Sequence, residues 1–258
     1  MKNRVAEVSR RYNEYVDGYR VDGKLPPMMD LKLFHTGMVV ANAKEIVRGE
    51  CIEAELAEAC ELAALLHDTG RYEQIKLYNT FRDSESVDHA VFSRDIVREK
   101  GWLDGYALKD VILDAVLFHN RREVPNDLSR IALTVAHCTR DADKLDIFRV
   151  LEERVKNTDW RNDTAAFWSL PVLASPSGEV LNAVKEGRAV DYQNIKTLAD
   201  FVLIQVGWLK RELYFATSRK LAHLRGHLTF RRQFLAELTN GNAQVDALCE
   251  EVAESLNQ

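Results

Sequence analysis

Along almost the whole chain the apolar residues recur three and four positions apart, and no run alternates convincingly between apolar and polar. Three-and-four spacing places side chains on one face of an α-helix, whereas a half-buried strand needs a period of two. The chain is thereby directed to an all-α architecture. The pattern predicts helices over Lys32–Arg48, Ile52–Leu66, Val87–Lys100, Leu108–Phe118 and Leu128–Lys156. In the second of these, Leu56, Ala59, Ala63 and Leu66 form one stripe, and Thr69-Gly70 is expected to end it. The polar stretch Tyr78–Ser86 precedes the third, which Gly101 would stop.

Pro171, Pro176 and Gly178 stand among Asp, Asn and Ser, which marks a connecting loop over residues 158–178. Beyond it, a short helix is expected over Glu179–Glu186. A long helix with Asp191 as its N-cap should follow, containing Ile195, Leu198, Phe201, Val202, Gln205 and Trp208. The aromatic series Phe201, Trp208 and Phe215 reads as core. The expected organisation is therefore a first domain over residues 1–157, the loop 158–178, and a C-terminal helical extension over residues 179–258 packed on the first domain. Domains usually take roughly 100–200 residues, so 258 residues suit one domain with a large addition.

Charge and cysteine usage narrow the partners. A formal net charge of -5 gives no general attraction for a nucleic-acid polymer or an anionic membrane. The charged start MKNRVAEVSRRYNEYVDGYR lacks an apolar leader core, and no window approaches the ~20 apolar residues of a membrane span. A cytoplasmic location is expected. Cys51, Cys60, Cys138 and Cys249 form no C-x-x-C pair and read as reduced structural thiols.

Chemistry concentrates in the first 150 residues. Four of the seven histidines, His35, His67, His89 and His119, are spread through them, each near the end of an expected helix. His67 is followed at once by Asp68 in ELAALLHDTGR, where an apolar helix ends. Two ionisable groups closing a buried stripe are costly unless their desolvation is compensated, and a metal ion compensates both. Imidazole with carboxylate is a transition-metal donor set. Asp141 and Asp143 follow in CTRDADKLDIF. Asp143 shares a stripe with Ala136, Ile147, Val150 and Leu151, but Asp141 aligns comparably with Leu145 and Phe148, so periodicity does not choose between them. Asp146 could support a ligand from behind or be a helix-surface acid, the second being the preferred reading, and His137 does not share the face of Asp143. His223 and His227 form an i,i+4 pair, but Gly226 lies between them and no Glu adjoins, so a basic surface is expected there.

The ordered set His35, His67-Asp68 and Asp143 in A-D-K-L resembles the H…HD…D signature of the HD superfamily of metal-dependent phosphohydrolases, over about Leu33 to Leu151. The resemblance implies an HD-domain helical bundle with additional C-terminal helices. It implies that His35, His67, Asp68 and Asp143 hold one metal, and it selects Asp143 over Asp141. His89 in DHAVFSRDIV and His119 in FHNRREVP resemble the two further histidines of members with a second metal, which would make Asp68 a bridging ligand. The stretch HNRREVP differs from the H-H-E and G-Y-P elements of the cyclic-dinucleotide branch, which argues against cyclic di-GMP as substrate.

The resemblance further implies one or two divalent ions per chain (Mn, Fe, Co, Ni or Zn, with Mg also admissible). The reaction implied is hydrolysis, by metal-activated water, of a nucleotide or other small phosphorylated metabolite. Asp68, Arg71 and Lys144 are the candidate catalytic groups. Arg71, Arg121, Arg122 and Lys144, which adjoin the proposed ligands, are candidates to bind phosphate. The sequence also admits a homo-oligomer. Two other functions share this pattern: a di-iron oxygenase of the HD type, and a nucleotide-sensing module without turnover.

Overall fold

The computed structural model describes residues 4–162, 167 and 169–256. Residues 163–166 and 168 of the expected connecting loop lie outside that description. Among the described residues the chain is all-α, without a strand; the pair Val21 and Lys24 forms an isolated bridge. No described helix is long and apolar enough to cross a membrane. The chain divides into two compact units, Met1–Asp146 and Ile147–Gln258, and the division falls inside one helix.

In the first unit the helices are α1 (Arg4–Asp17), α2 (Pro27–Gly49), α3 (Ala54–Leu66), α4 (Gly70–Tyr78), α5 (His89–Glu99), α6 (Lys109–Phe118) and the part of α7 (Arg130–Asn157) up to Asp146. The centre is α3, which packs against α1, α2, α5 and α6. Its buried residues, Ala59, Cys60, Leu62, Ala63, Ala64 and Leu66, form a face wider than the expected stripe, with Glu58 and Glu61 partly exposed on the other side. A wide apolar face packs against several neighbours at once, and its small alanines let them approach. The first helix, α1, was hidden in the sequence by its charges. Val8, Tyr12 and Val16 recur at four-residue intervals and are buried, while Arg10–Glu14 and Arg11–Glu7 pair at 2.6 and 2.5 Å on the outside.

Gly70 does not end a helical region as expected; it opens α4. Its physical role is close approach. A Cβ at Gly70 would lie 2.7 Å from the Ser93 nitrogen and 2.9 Å from the His89 carbonyl oxygen, both backbone atoms of α5. The Gly70 N–H donates to Ser93 Oγ at 2.8 Å across the same contact. In a helix, alanine is otherwise favoured over glycine by about 1 kcal/mol. We therefore expect Gly70→Ala to destabilise the chain by about 1–3 kcal/mol, the usual cost of overpacking, in a urea titration. A stabilised variant would show that α4 and α5 are not in contact here.

In the second unit, α8 (Gly178–Lys185), α9 (Leu198–Arg211), α10 (Ala216–Leu224), α11 (His227–Thr239) and α12 (Ala243–Leu256) follow. Against α9 pack α8, α11 and α12. Asp191 caps a short 3-10 turn, Tyr192–Asn194, rather than the long helix. That helix starts at Thr197-Leu198, where Thr197 Oγ1 accepts from the Asp200 N–H and Asp200 Oδ2 accepts from the Thr197 N–H, both at 3.0 Å. This reciprocal capping box satisfies two backbone donors and outcompetes the earlier Asp. Trp208 and Phe215 are buried, as expected of core.

The His223/His227 expectation is corrected. Gly226, at φ +70°, breaks the helix between them, so the two histidines sit on α10 and α11 and are not one turn apart. His223 is exposed, while His227 is buried with Nδ1 2.6 Å from Glu152 Oε1.

Candidate metal centre

The HD pair lies in the turn between α3 and α4. His67 follows the last residue of α3 and donates its Nδ1 hydrogen to the Ala64 carbonyl, 2.8 Å away. His119 does the same at the end of α6, to the Val116 carbonyl at 2.7 Å. A carbonyl oxygen only accepts, so Nδ1 carries a hydrogen in both rings and Nε2 is turned to the centre. His35, on α2, sets Nδ1 2.6 Å from Asp146 Oδ2. His89, the first residue of α5, sets Nδ1 2.6 Å from Asp83 Oδ2. All four rings thus commit Nδ1 outward and turn Nε2 inward.

The Nε2 atoms meet in two pairs, His35 with His67 at 3.3 Å and His89 with His119 at 3.0 Å. Asp68 lies between them, only 3% exposed. Its Oδ2 is 3.7 Å from His35 Nε2 and 3.4 Å from His67 Nε2. Its Oδ1 is 3.5 Å from His89 Nε2 and 3.8 Å from His119 Nε2. Asp143 joins the first pair, with Oδ1 3.1 Å from His35 Nε2 and 3.8 Å from His67 Nε2. All six residues picked out from the sequence as ligands therefore converge.

Electrostatics suits a cation in this space. Burial alone would raise Asp68, but Lys32, His67 and Arg71 hold its carboxyl well below the usual range. Asp143 is lowered likewise, against burial, by the hydrogen bond from His35 and by the nearby histidines. Burial depresses His119 well below an ordinary imidazole, aided by His89 and His67, and burial with Arg71 depresses His89. These two rings are thus kept neutral, in the form that offers a lone pair. His35 shifts the other way: burial and Lys32 lower it, but Asp143 and Asp146 prevail and raise it. Asp68 Oδ1 is buried with no hydrogen-bond partner. A buried anionic oxygen facing two imidazole lone pairs is expensive unless a cation is shared among them. Ligands roughly 2.1 Å from a common ion sit about 3.0–3.4 Å apart in octahedral or tetrahedral sets, close to the separations here. The residues therefore fit a divalent metal.

Of the basic residues singled out, Arg71 is at the centre. Its Nε is 3.4 Å from Asp68 Oδ1, and Nη2 is 3.2 Å from His89 Nε2. Its Nη1 donates to Gln74 Oε1 and the Phe81 carbonyl at 2.7 Å, and to Asp83 Oδ1 at 3.1 Å. Arg121 pairs with Asp88, the N-cap of α5. Arg122 is exposed, and Lys144 is buried. Arg140 is buried and donates to the carbonyls of Phe118 at 2.9 Å and His119 at 3.4 Å, which secures the end of α6.

Asp146 is corrected from a surface acid to a buried one that fixes the His35 ring. Asp83, Lys32 and Gln74 escaped notice in the sequence. Lys32 and Asp146 each lie one turn from a ligand, His35 and Asp143, so the i,i+3 relation was their available signal. Asp83, in the 3-10 turn Asp83–Glu85, had none.

Compared with protein-family models, residues 33–147 match the family described as the HD domain. Neither the curated proteins nor the solved structures gave a significant match.

Proposed function

We propose, from the premise that residues 33–147 are an HD domain, that this chain is a metal-dependent phosphohydrolase acting on a nucleotide or another small phosphorylated metabolite. The observation that carries this reading is the two-sided Asp68, with one oxygen toward His35 and His67 and the other toward His89 and His119. In it, His35, His67, Asp68 and Asp143 hold a first divalent ion, and Asp68, His89 and His119 a second. Bound there, the metal lowers the pKa of water toward neutrality and neutralises phosphate oxygens.

The chain's own residues do the rest. Asp146 and Asp83 fix the rings of His35 and His89, and such outer hydrogen bonds set ring orientation and basicity. Arg71, anchored through Nη1, presents a fixed positive charge beside Asp68 for the phosphate that the reaction cleaves. Lys144, next to Asp143 in sequence, is assigned to the same charge balance. Arg121 and Arg122, on the segment after His119, are assigned to the outer rim of the substrate site. Arg121 there shares its charge with Asp88.

The test is elemental analysis of the purified chain together with a phosphate-release screen over nucleotides and sugar phosphates, with Mn, Co, Ni, Zn, Mg or Fe added. About two ions per chain are expected, with phosphate release that disappears on chelation and returns with metal. Absence of phosphate release from every substrate class would overturn the reading, and two irons without phosphate release would replace it with an oxygenase.

A further inference from the structure

Lys32 occupies a place that the ligand set does not account for. It lies on α2 three residues before His35, so both side chains leave the same face of the helix. Its Nζ is 2.6 Å from Asp68 Oδ2, the oxygen that faces His35 and His67. The Lys32 side chain is 18% exposed and that of Asp68 3%, so Lys32 is the more exposed partner of the pair. Nζ also lies 5.3 Å from the centre of the Phe81 ring, and the Arg71 guanidinium lies 5.5 Å from the centre of the same ring. Two cations are thus arranged around one aromatic side chain, one beside each oxygen of Asp68.

The two cations differ in freedom. Arg71 has Nη1 engaged by three acceptors, whereas Lys32 is a point charge on a flexible four-carbon stem. An ammonium has three N–H donors and Asp68 takes one of them. The remaining two can meet a further acceptor beside Asp68. An acceptor suited to two cations and a metal-binding carboxylate at once is a tetrahedral oxyanion with several charged oxygens, since each oxygen can meet a different partner.

We propose that Lys32 is a substrate-binding residue of this site, donating to a nonbridging oxygen of the substrate's phosphoryl group, with Arg71 as the second cation near the same Phe81 ring. The assignment rests on the phosphohydrolase reading and specifies its ligand as a phosphoryl oxyanion exposed at one end of a small molecule.

Inorganic phosphate is the probe. The metal-loaded full chain and its Lys32→Met and Lys32→Arg variants are titrated with phosphate by calorimetry, and the metal content of each is measured in parallel. Loss of one charge-assisted hydrogen bond is expected to weaken phosphate binding about 10-fold or more in Lys32→Met, with metal content unchanged. Lys32→Arg, which retains the cation, should stay within about 3-fold of the parent. Unchanged phosphate affinity in Lys32→Met would overturn the assignment. So would a parallel loss of metal and phosphate, because Lys32 would then serve only to hold Asp68. If the parent chain loads metal and binds no phosphate, the phosphohydrolase reading falls and this assignment with it.

Discussion

Asp68→Asn is expected to lose bound metal and to cut metal-dependent phosphate release by on the order of 10³-fold, the effect of removing several kcal/mol of charge stabilisation. The substitution preserves shape and volume but replaces one anionic oxygen with an amide NH₂. Asp68 is the residue whose two oxygens face both histidine pairs, at 3.4 to 3.8 Å. Losing its charge therefore weakens both halves of the centre at once, whereas His67→Ala removes a ligand from the first half alone. An independent readout is thermal. Saturating metal should raise the Tm of the parent through preferential binding to the folded chain and leave the variant almost unmoved. Full phosphate release by Asp68→Asn, or an undiminished metal-induced rise in Tm, would remove Asp68 from the centre of the mechanism.

His67, Asp68, His89 and His119 were legible as candidate ligands because each is an ionisable residue where a helix starts or stops, a placement with a physical cost visible without coordinates, whereas His35 and Asp143 lie inside α2 and α7 and are singled out through the resemblance. The supporting residues were not legible for a reason that α7 makes plain. Thr139, Arg140, Asp141, Lys144 and Asp146 are all buried on this helix, although a polar residue there ordinarily marks the solvent side. Burial of two of these groups is offset by partners on other helices, Asp146 by His35 of α2 and Arg140 by the carbonyls that end α6, and Thr139 donates to the Val135 carbonyl of its own helix. Hydropathy sees the polarity of Asp146 and not its partner 111 positions away. The same limit applies to α3, where Leu56, Ala59, Ala63 and Leu66 read as one stripe but Cys60, Leu62 and Ala64 beside it are buried too. Gly70 reads as a helix stop and Gly226 as a weakness of the His223/His227 pair, but one marks a close helix contact and the other a left-handed break. A glycine states that something requires the absence of a Cβ without saying which.

The second unit carries the largest expected effect on stability. Arg231 is fully buried, at 0% exposure, and all five of its N–H directions are used. Nε and Nη2 donate to Gln205 Oε1 at 3.0 and 2.7 Å, Nη1 to Glu152 Oε1 and the His227 carbonyl at 2.8 Å each, and Nη2 to the Phe148 carbonyl at 3.0 Å. The guanidinium also lies 4.3 Å from the centre of the Phe148 ring. Burial lowers this arginine to about 10, so it remains charged at neutral pH. Glu152 is pushed up by burial, but His227 and Arg231 prevail and hold it below its ordinary value.

Arg231→Met would leave that carboxylate without its cation and strand three further acceptors. The expected loss is about 3–5 kcal/mol, the cost of breaking a buried pair from one side, or a fall of roughly 10 °C in Tm. Replacing both partners, in Arg231→Met with Glu152→Leu, should restore part of the loss, because the larger share is the stranded charge and not the pair's net worth. A double variant as unstable as the sum of the two single ones would show that the pair is not coupled.

Acid should act on the parent in the same direction. Burial keeps His227 below an ordinary imidazole, so the unfolded chain takes up a proton that the folded chain refuses, and stability declines as pH falls below about 6.5. Glu152 adds a second decline at lower pH, since its lowered value stabilises the fold only while it is ionised. Urea midpoints measured between pH 8 and pH 4 would register both. A midpoint that rises on acidification would mean that His227 is charged in the folded chain and that the Glu152–Arg231 cluster has been assigned the wrong proton count.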